Sequence, residues 1–503
     1  MEKIQVEILE KHRNYLKDYK PNDLYWGIGI ENEVYLEFSK KYYFDNKDFY
    51  ENSNRERYSV DYFSSYKPNV YKSHVNLLDL PNFVPILLNS HSFTKTDIKN
   101  EHQLTYEKIP RLNPKFSGKT LIDYLSEIDP YFKNEYMKSF IFDGDSIEFI
   151  SKNFYKVTIN DVIEELIENK NIFITKLKKI FKDNKIFNEF GEINICNKNH
   201  PFATFMTNFG KCSIFNNMTY HFNFTLPTKL DSKCNIINTK EFVEQHKNAI
   251  HLIQWIEPIL LSLYGTGDPL SEVNNKLTNC SQRCAKSRYI GIGTYDTKTM
   301  IPGKLLLMDS EKNHLSNLNY WWYNKYYDYC SYKKEPQMGS DINFHKHKNH
   351  GIEIRIFDYF PEDKLEHLLK FFVLLFDYSL EYNVSSPIRN REWNDYTFKI
   401  LIDKDYKLSE EIKITYKKLF NLPHLNYNSS KQLFDIIYNN LLSKYQNGLC
   451  YSKMIRKVDS NQTYDLNTNS PANAYSYKEE LSEELNKLNN VKIVKQKRCC
   501  IIM

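Results

Sequence analysis

The first strand predicted by the alternation of hydrophobic and polar positions carries three acids. Residues 27–38 read "GIGIENEVYLEF", and successive side chains of a strand point to opposite faces. One face then holds Ile28, Ile30, Val34 and Leu36, and the other holds Glu31, Glu33 and Glu37. Like charges at this spacing repel each other, so either a solvated face or a cation between the carboxylates explains the pattern.

Three later segments repeat this division between a polar and an apolar face. "FDGDSIEFIS" places Glu148 between two apolar residues, directly after a predicted tight turn. "YHFNFTLP" places His221, Asn223 and Thr225 on one face, and "GIEIRIFDYF" does the same for Glu353 and Arg355. One sheet with one polar face accounts for all four segments.

The periodicity divides the chain into five regions. Strand-like segments lie at about 25–38, 139–151, 218–227, 287–295 and 350–358, and helical patterns cover 161–181, 240–265 and a stretch that begins near Pro361. We predict an N-terminal helix at 1–20, a large domain at 21–385, a helical extension at 386–455, a linker at 456–477, and a charged helix with a basic tail at 478–503.

Composition and charge exclude several classes of protein. A chain of 503 residues with 41% hydrophobic and 15% aromatic residues is typical of a folded globular protein. The net charge of +5 is small, and the basic residues of the chain are mixed with acidic ones, so we expect no nucleic-acid partner. The nine cysteines form neither a disulfide framework nor a zinc-type set, which indicates reduced cytosolic thiols. The apolar run at 368–380 contains Lys370 and Asp377, so we expect no transmembrane helix.

The polar face predicts a site for divalent cations. Glu31, Glu33, Glu148 and Glu353, gathered with His221, could not all stay ionised without nearby positive charge. Mg²⁺ and Mn²⁺ prefer carboxylate oxygens and accept an occasional imidazole. Such ions often bind together with the phosphates of a nucleotide, and an arginine on the same face can hold a transferred group.

The order of these motifs resembles the glutamine synthetase and glutamate-cysteine ligase superfamily. ExE lies on an early strand, a glutamate follows a "DGDS" turn, HxN lies on a middle strand, and ExR lies on a late one. The compact "DGDSIEFIS" element is most similar to the amidoligase branch of these carboxylate-amine ligases. The resemblance covers residues 22–385 as short ordered motifs. It implies an α+β fold, with a glutamine synthetase-like catalytic domain at 21–385 whose twisted, mostly antiparallel sheet is packed by helices.

The resemblance also implies a role for each motif residue. Glu31 and Glu33 would bind different metal ions, Glu148 would join the ion of Glu33, and His221 and Glu353 would complete the site of Glu31. Glu353 and Arg355 would be the catalytic pair, with Arg355 contacting the transferred phosphate. ATP would phosphorylate a substrate carboxylate, and an amine would capture the acyl phosphate to form an amide or isopeptide bond. The carboxylate and amine substrates could be amino acids, peptides or proteins.

Nucleotide binding needs further basic residues. We assign it to Arg288 and Arg283 in "SQRCAKSRYIGIGTYD", where Lys286 also lies, and to Asn223 of the HxN motif. The sequence departs from the family pattern before ExR, where no second arginine is found and "HKHKNH" stands instead. We interpret this run, which ends at His350, as a solvated loop rather than a metal-binding tract.

The C-terminal sequence "KIVKQKRCCIIM" predicts a lipid anchor. Cys500 begins a prenylation box that ends in Met, the type that receives a farnesyl group. One lipid anchors only marginally, and two further signals are present. Cys499 is a candidate for palmitoylation, and four basic residues would be attracted to an anionic membrane surface: Lys492, Lys495, Lys497 and Arg498. We therefore expect a cytosolic protein held peripherally at the cytosolic face of a membrane, unless the motif arose by chance.

Two alternative functions remain open from the sequence. The chain could be a catalytically inactive, lipid-anchored interaction protein on a ligase scaffold, or a glycoside hydrolase that uses paired carboxylates without a nucleotide. Taken singly, the motifs also have structural explanations. The ExE acids could form a solvent-facing stripe, His221 could be a hydrogen-bonded core residue, and Glu353 with Arg355 could form an ion pair across neighbouring strands.

Overall fold

The structure of the protein is a computed structural model. The described residues are 24–43, 83–88, 93, 121–143, 146–151, 156, 158–184, 186–197, 219–233, 235–267, 280–281, 342–344, 350–387, 390–424 and 426–455. The predicted helix at 1–20, the predicted strand at 287–295, the linker and the basic tail lie outside them.

A six-stranded sheet lies at the centre of the described structure, and all of its neighbouring strands pair antiparallel. In spatial order it consists of β4 (Phe140–Asp143), β5 (Ser146–Ile150), β1 (Leu24–Val34), β7 (Tyr220–Lys229), β9 (Ile352–Phe357) and β8 (Ile342–Phe344). Together with the helices below, this sheet confirms the predicted α+β class. The predicted segment 139–151 forms two strands, β4 and β5, which pair as a hairpin.

A second, three-stranded antiparallel sheet corrects the prediction of one strand over 25–38. The chain leaves β1 at Val34 and continues from Leu36 as β2 (Leu36–Tyr43), which lies between β3 (Phe83–Leu88) and β6 (Ile193–Ile195). Tyr35 lies between β1 and β2, and its carbonyl accepts a hydrogen bond from the Cys196 amide at 3.0 Å. Glu37 therefore belongs to a different sheet from Glu31 and Glu33.

Helices cover the apolar face of the central sheet. The long helices are α3 (Ile159–Asp183), α5 (Thr239–Tyr264) and α6 (Leu365–Glu381), and the short ones are α1 (Leu121–Ile128), α2 (Tyr131–Asn134) and α4 (Ile186–Phe190). Side chains cap α3 and α5, because Thr158 Oγ1 accepts from Asp161 N and Asn238 Oδ1 accepts from Glu241 N, each at 3.1 Å. Pro361 precedes a 3₁₀ turn (Glu362–Lys364) that leads into α6.

Aromatic packing joins the sheet to these helices. Phe224 of β7 lies edge-to-face with Phe376 of α6, with ring centroids 4.9 Å apart. Phe149 of β5 makes a similar contact with Phe173 of α3 at 5.3 Å. All four side chains are fully buried. Because this face is occupied by the core, the polar face of the same strands is the one that can build a site.

Residues 386–455 contribute α7 (Arg391–Ile402), α8 (Glu410–Phe420), α9 (Ser430–Tyr445) and α10 (Leu449–Ile455). Each of these helices contributes buried hydrophobic residues to the same core as the sheet. Asp377 of α6 accepts hydrogen bonds from the backbone amides of Cys450 and Tyr451 at 2.8 and 2.9 Å, and burial raises the pKa of its carboxyl to about 6. The first turn of α10 is thereby tied to α6. Among the described helices, none is both long and apolar enough to cross a bilayer.

Candidate metal centre

The register of the central sheet brings the predicted site residues onto one face. Residues that pair directly in an antiparallel ladder share a face, as do residues two positions apart on one strand. Glu31 pairs with His221, Glu33 pairs with Glu148, and Asn223 pairs with Glu353. These three pairs therefore form one polar surface across β5, β1, β7 and β9. Arg355 lies on the same side of β9.

Glu31, His221 and Glu353 form the centre of this surface. Nδ1 of His221 lies 3.2 Å from Glu31 Oε2 and 3.6 Å from Glu353 Oε1. One ligand atom from each of the three residues lies within 4.8 Å of the other two. Their exposed fractions are 4%, 1% and 0%, so the group is sealed from bulk water. Two oxygens on opposite sides of a Mg²⁺ ion lie about 4.2 Å apart, so the spacing suits one cation.

Glu33 and Glu148 lie on the other side of the His221 ring. Nε2 of His221 is 3.6 Å from Glu33 Oε1, and Glu148 stands directly opposite Glu33 in the ladder. Both carboxylates are buried, with exposed fractions of 0% and 5%. Like charges directly opposite each other destabilise a sheet, and burial strengthens their repulsion. This pair is therefore placed where bound positive charge would stabilise the fold.

Four carboxylates meet on this face. Those of Glu31, Glu33, Glu148 and Glu353 lie together with the imidazole of His221 and the guanidinium of Arg355. Carboxylate oxygens with one imidazole match the ligands that hard cations such as Mg²⁺ and Mn²⁺ prefer. The residues therefore fit the metal that the motif order implies.

Arg355 is paired with Glu353 along one strand. Its Nη1 donates to Glu353 Oε1 at 2.9 Å, and the arginine side chain is 11% exposed. The ion pair that the sequence left open is therefore present, but it runs along one strand, β9, and does not cross between neighbouring strands. The contact holds the guanidinium beside the acidic cluster.

His350 corrects the interpretation of "HKHKNH" as a solvated loop, because this last residue of the run is fully buried. Its Nε2 lies 2.7 Å from Asn223 Oδ1, and Asn223 Nδ2 donates to Glu31 Oε1 at 3.2 Å. The chain His350–Asn223–Glu31 thus orients one carboxylate of the cluster. His350 directly precedes Gly351 and β9, which is the signal that could have identified it. Residues 345–349 lie outside the described part of the chain.

Sequence reasoning also missed Thr219 and a buried network behind the sheet. Thr219 Oγ1 donates to Glu33 Oε2 at 3.1 Å. On the opposite face, Lys170 Nζ donates to Asn32 Oδ1 at 2.7 Å and pairs with Glu362. Burial lowers the pKa of Lys170, and Glu362 partly opposes that shift. Asn32 and Lys170 are polar residues at positions where the periodicity demands apolar ones, and this was the available signal.

Among the remaining predicted site residues, only Asn223 lies in the described part of the chain. Arg283, Lys286 and Arg288 lie outside the described residues, as do Cys499 and Cys500. Asn223 is placed, and both ends of its amide are engaged within the cluster. Nucleotide binding by these residues stays a prediction.

Comparison with known proteins places the chain in a family. No family model and no solved structure matches it. The uncharacterized protein R704 of Acanthamoeba polyphaga mimivirus is 40% identical to it over 471 residues, which cover 92% of this chain and 82% of the mimivirus protein. Identity at this level over nearly the whole chain is that of homologues. The chain therefore belongs to the same protein family as the uncharacterized mimivirus protein R704.

Proposed function

We propose that the protein is an ATP-dependent carboxylate-amine ligase that uses Mg²⁺ or Mn²⁺. The observation that carries the proposal is the buried convergence of Glu31, His221 and Glu353, which are separated by 190 and 132 positions in the chain, on one face of an antiparallel sheet. The order of the ExE, HxN and ExR motifs along the chain selects a ligase among the enzymes that use divalent cations.

The clustered carboxylates and the imidazole would bind two metal ions. Glu31, His221 and Glu353 would hold one ion, and Glu33 with Glu148 would hold a second beside it. When bound, such ions neutralise phosphate charge and lower the barrier to phosphoryl transfer. Thr219 and Asn223 orient the carboxylates, and burial of the cluster excludes water from it.

Arg355 is suited to bind the phosphate group that is transferred. A guanidinium carries five N–H donors in a planar fork, so pairing with Glu353 through Nη1 is compatible with contacts to phosphate oxygens. Glu353 fixes the orientation of that fork. We assign Arg355 to the transferred phosphate and Glu353 to its positioning and to the metal.

The proposed reaction has two steps. A substrate carboxylate attacks the γ-phosphorus of ATP, which forms an acyl phosphate and releases ADP. An amine then attacks the carbonyl carbon, the bond to phosphate breaks, and the products are an amide, inorganic phosphate and a proton. The substrate carboxylate and amine belong to amino acids, peptides or proteins, which all satisfy this chemistry.

The test is a thermal-shift measurement with ATP and Mg²⁺ on the wild type and on Glu33→Gln. We expect the ligands to raise the Tm of the wild type and to raise that of Glu33→Gln much less, because the variant loses one negative oxygen from the metal-binding face. Saturation at about 100 times Kd corresponds to about 2.7 kcal/mol of added stability. The matched control is Glu257→Gln, an equally buried glutamate on α5.

The outcomes separate the ligase from its rivals. Equal stabilisation of wild type and Glu33→Gln, or stabilisation of neither, would contradict the metal assignment. Binding of ATP without release of ADP, across a panel of carboxylates and amines, would favour the inactive lipid-anchored interaction protein. Activity on glycosides that persists in a chelator would favour the hydrolase.

The C-terminal tail supports a membrane location for this activity. We propose that a prenyl group on Cys500, aided by the neighbouring basic residues and by palmitoylation of Cys499, holds the enzyme at the cytosolic face of a membrane. Each basic residue near an anionic surface contributes about 1 kcal/mol.

We expect Cys500→Ser to move the protein from the membrane pellet to the supernatant when it is expressed in eukaryotic cells. Palmitoylation of Cys499 requires that the protein first reach the membrane, so loss of the prenylation site should prevent it as well. Cys450→Ser, at a cysteine buried in the core, is the control for a general effect of losing a thiol. The measurement is fractionation with immunoblotting. If Cys500→Ser divides between pellet and supernatant as the wild type does, the proposal of a lipid anchor is contradicted.

A further inference from the structure

We infer that Thr219 is a positioning residue that selects the tautomer of His221, so that Nδ1 rather than Nε2 faces the cation. The inference rests on the proposed function, because it concerns the same metal centre. It assigns a role to a side chain that touches neither the substrate nor the cation.

Hydrogen bonds hold the backbone of Thr219 directly before β7. Its carbonyl accepts two hydrogen bonds, from Glu33 N at 2.9 Å and from Asn32 Nδ2 at 3.0 Å. Asn32 is itself held by Lys170 from the opposite face of the sheet. Thr219 is fully buried. Its hydroxyl therefore stands at a fixed point beside the ExE strand.

The Thr219 hydroxyl has one proton, and it donates this proton in a hydrogen bond to Glu33. Thr219 Oγ1 donates to Glu33 Oε2 at 3.1 Å, because an ionised carboxylate can only accept. The same oxygen lies 3.3 Å from His221 Nε2. With its proton directed at Glu33, the hydroxyl presents a lone pair to the ring. When a cation takes the lone pair of Nδ1, Nε2 carries the ring proton and donates it to Thr219, whereas without a cation Nδ1 can donate to the Glu31 carboxylate at 3.2 Å.

The contact with Thr219 favours the tautomer that binds a cation through Nδ1. A neutral imidazole has one N–H, so a proton on Nε2 leaves the lone pair on Nδ1. Nδ1 is the ring atom between Glu31 Oε2, at 3.2 Å, and Glu353 Oε1, at 3.6 Å. The lone pair thus points into the group of three donors that suits one cation. A metal-ligating histidine is generally oriented by a hydrogen bond from its other nitrogen, and Thr219 supplies that partner here.

The arrangement also separates the two acids of the ExE motif. Glu31 shares the Nδ1 side of the ring with Glu353, and Glu33 shares the Nε2 side with Thr219. Loss of the hydroxyl would remove the donor to Glu33 and the acceptor for Nε2 together. Nδ1 could then keep the ring proton and donate it to Glu31, so that its lone pair would no longer be offered to the cation.

The test uses the full-length protein and Mn²⁺ alone as the probe. Thr219→Val removes the hydroxyl at nearly constant shape, Thr219→Ser restores it, and Thr219→Ala removes it with a smaller side chain in case the valine variant does not accumulate. Thr228→Val, at a buried threonine of the same strand that bonds only locally to the Leu226 carbonyl, is the matched control. Calorimetry gives the Mn²⁺ affinity, and electron spin echo modulation from ¹⁴N reports whether a histidine nitrogen binds the ion.

We expect the valine and alanine variants to bind Mn²⁺ about 10- to 100-fold more weakly than wild type. At saturation their ¹⁴N modulation should be reduced or altered, whereas the Thr219→Ser and Thr228→Val proteins should keep both readouts. Wild-type affinity and modulation in Thr219→Val would overturn the inference. So would weaker binding with unchanged modulation, because the hydroxyl would then act through Glu33 alone.

The pattern of results distinguishes this inference from the proposed function. If wild type binds Mn²⁺ with ¹⁴N modulation and Thr219→Val loses it, the role of Thr219 is supported even where ATP has no effect, and then only the ligase proposal fails. If wild type itself binds no Mn²⁺, or binds it without ¹⁴N modulation, the metal centre and the role of Thr219 fail together.

Discussion

Glu31→Gln is expected to lower the affinity of the protein for Mn²⁺ by at least about 100-fold, which corresponds to about 2.8 kcal/mol. Glu31 contributes an oxygen to the three-donor group and is oriented there by Asn223. Glutamine keeps the shape of the side chain but replaces a charged oxygen by a neutral one. Isothermal titration of chelator-treated protein with Mn²⁺ measures the change.

The same variant should behave in the opposite way without metal. In a chelator, Glu31→Gln removes one of four neighbouring buried carboxylates that repel one another, so its Tm should equal or exceed that of wild type. Addition of Mn²⁺ should reverse the order. Glu257→Gln should follow wild type in Mn²⁺ affinity. Equal affinities of wild type and Glu31→Gln would contradict the assignment of Glu31.

Gly351→Ala is expected to lower the free energy of unfolding by about 1–3 kcal/mol and to weaken Mn²⁺ binding by the protein that remains folded. A Cβ atom at this position would lie 2.3 Å from the Phe224 carbonyl oxygen and 2.5 Å from His246 Nε2. β9 would have to move away from β7, and Glu353 would move with it. Chemical denaturation and Mn²⁺ titration measure the two effects.

Gly265→Ala is the matched control for this prediction. Its Cβ would lie 2.3 Å from the Leu261 carbonyl oxygen, so comparable destabilisation is expected at the end of α5. Because this glycine contacts no residue of the metal centre among those described, Mn²⁺ affinity should not change. Equal losses of affinity in both variants would mean that Gly351 acts through stability alone.

The sequence was sufficient to predict which residues share a face, but not which of them oppose each other. Alternation along β1 and β7 places Glu31 with Glu33 and His221 with Asn223, because the period of two is local. The pairing of Glu33 with Glu148 depends on the register between two strands more than a hundred residues apart. Register is set by tertiary packing, which a single sequence does not specify.

The errors have similar physical causes. The break at Tyr35 was missed because buried residues continue at alternate positions from Val34 through Leu36 to Phe38, so the pattern of one long strand persists across two sheets. His350 was misread because it ends a run of histidines and lysines that is polar by composition. Thr219 and Lys170 belong to no motif, since their contacts with Glu33 and Asn32 join residues more than 130 positions apart.

The central claim is that Glu31, His221 and Glu353 bind one divalent cation, and a crystal soaked in Mn²⁺ tests it most directly. Anomalous diffraction should place a peak bonded to His221 Nδ1 and to one oxygen of each glutamate, at the distances of about 2.0–2.3 Å that such ions adopt. A saturated crystal with no peak between these three side chains would contradict the account and remove the basis of the proposed ligase.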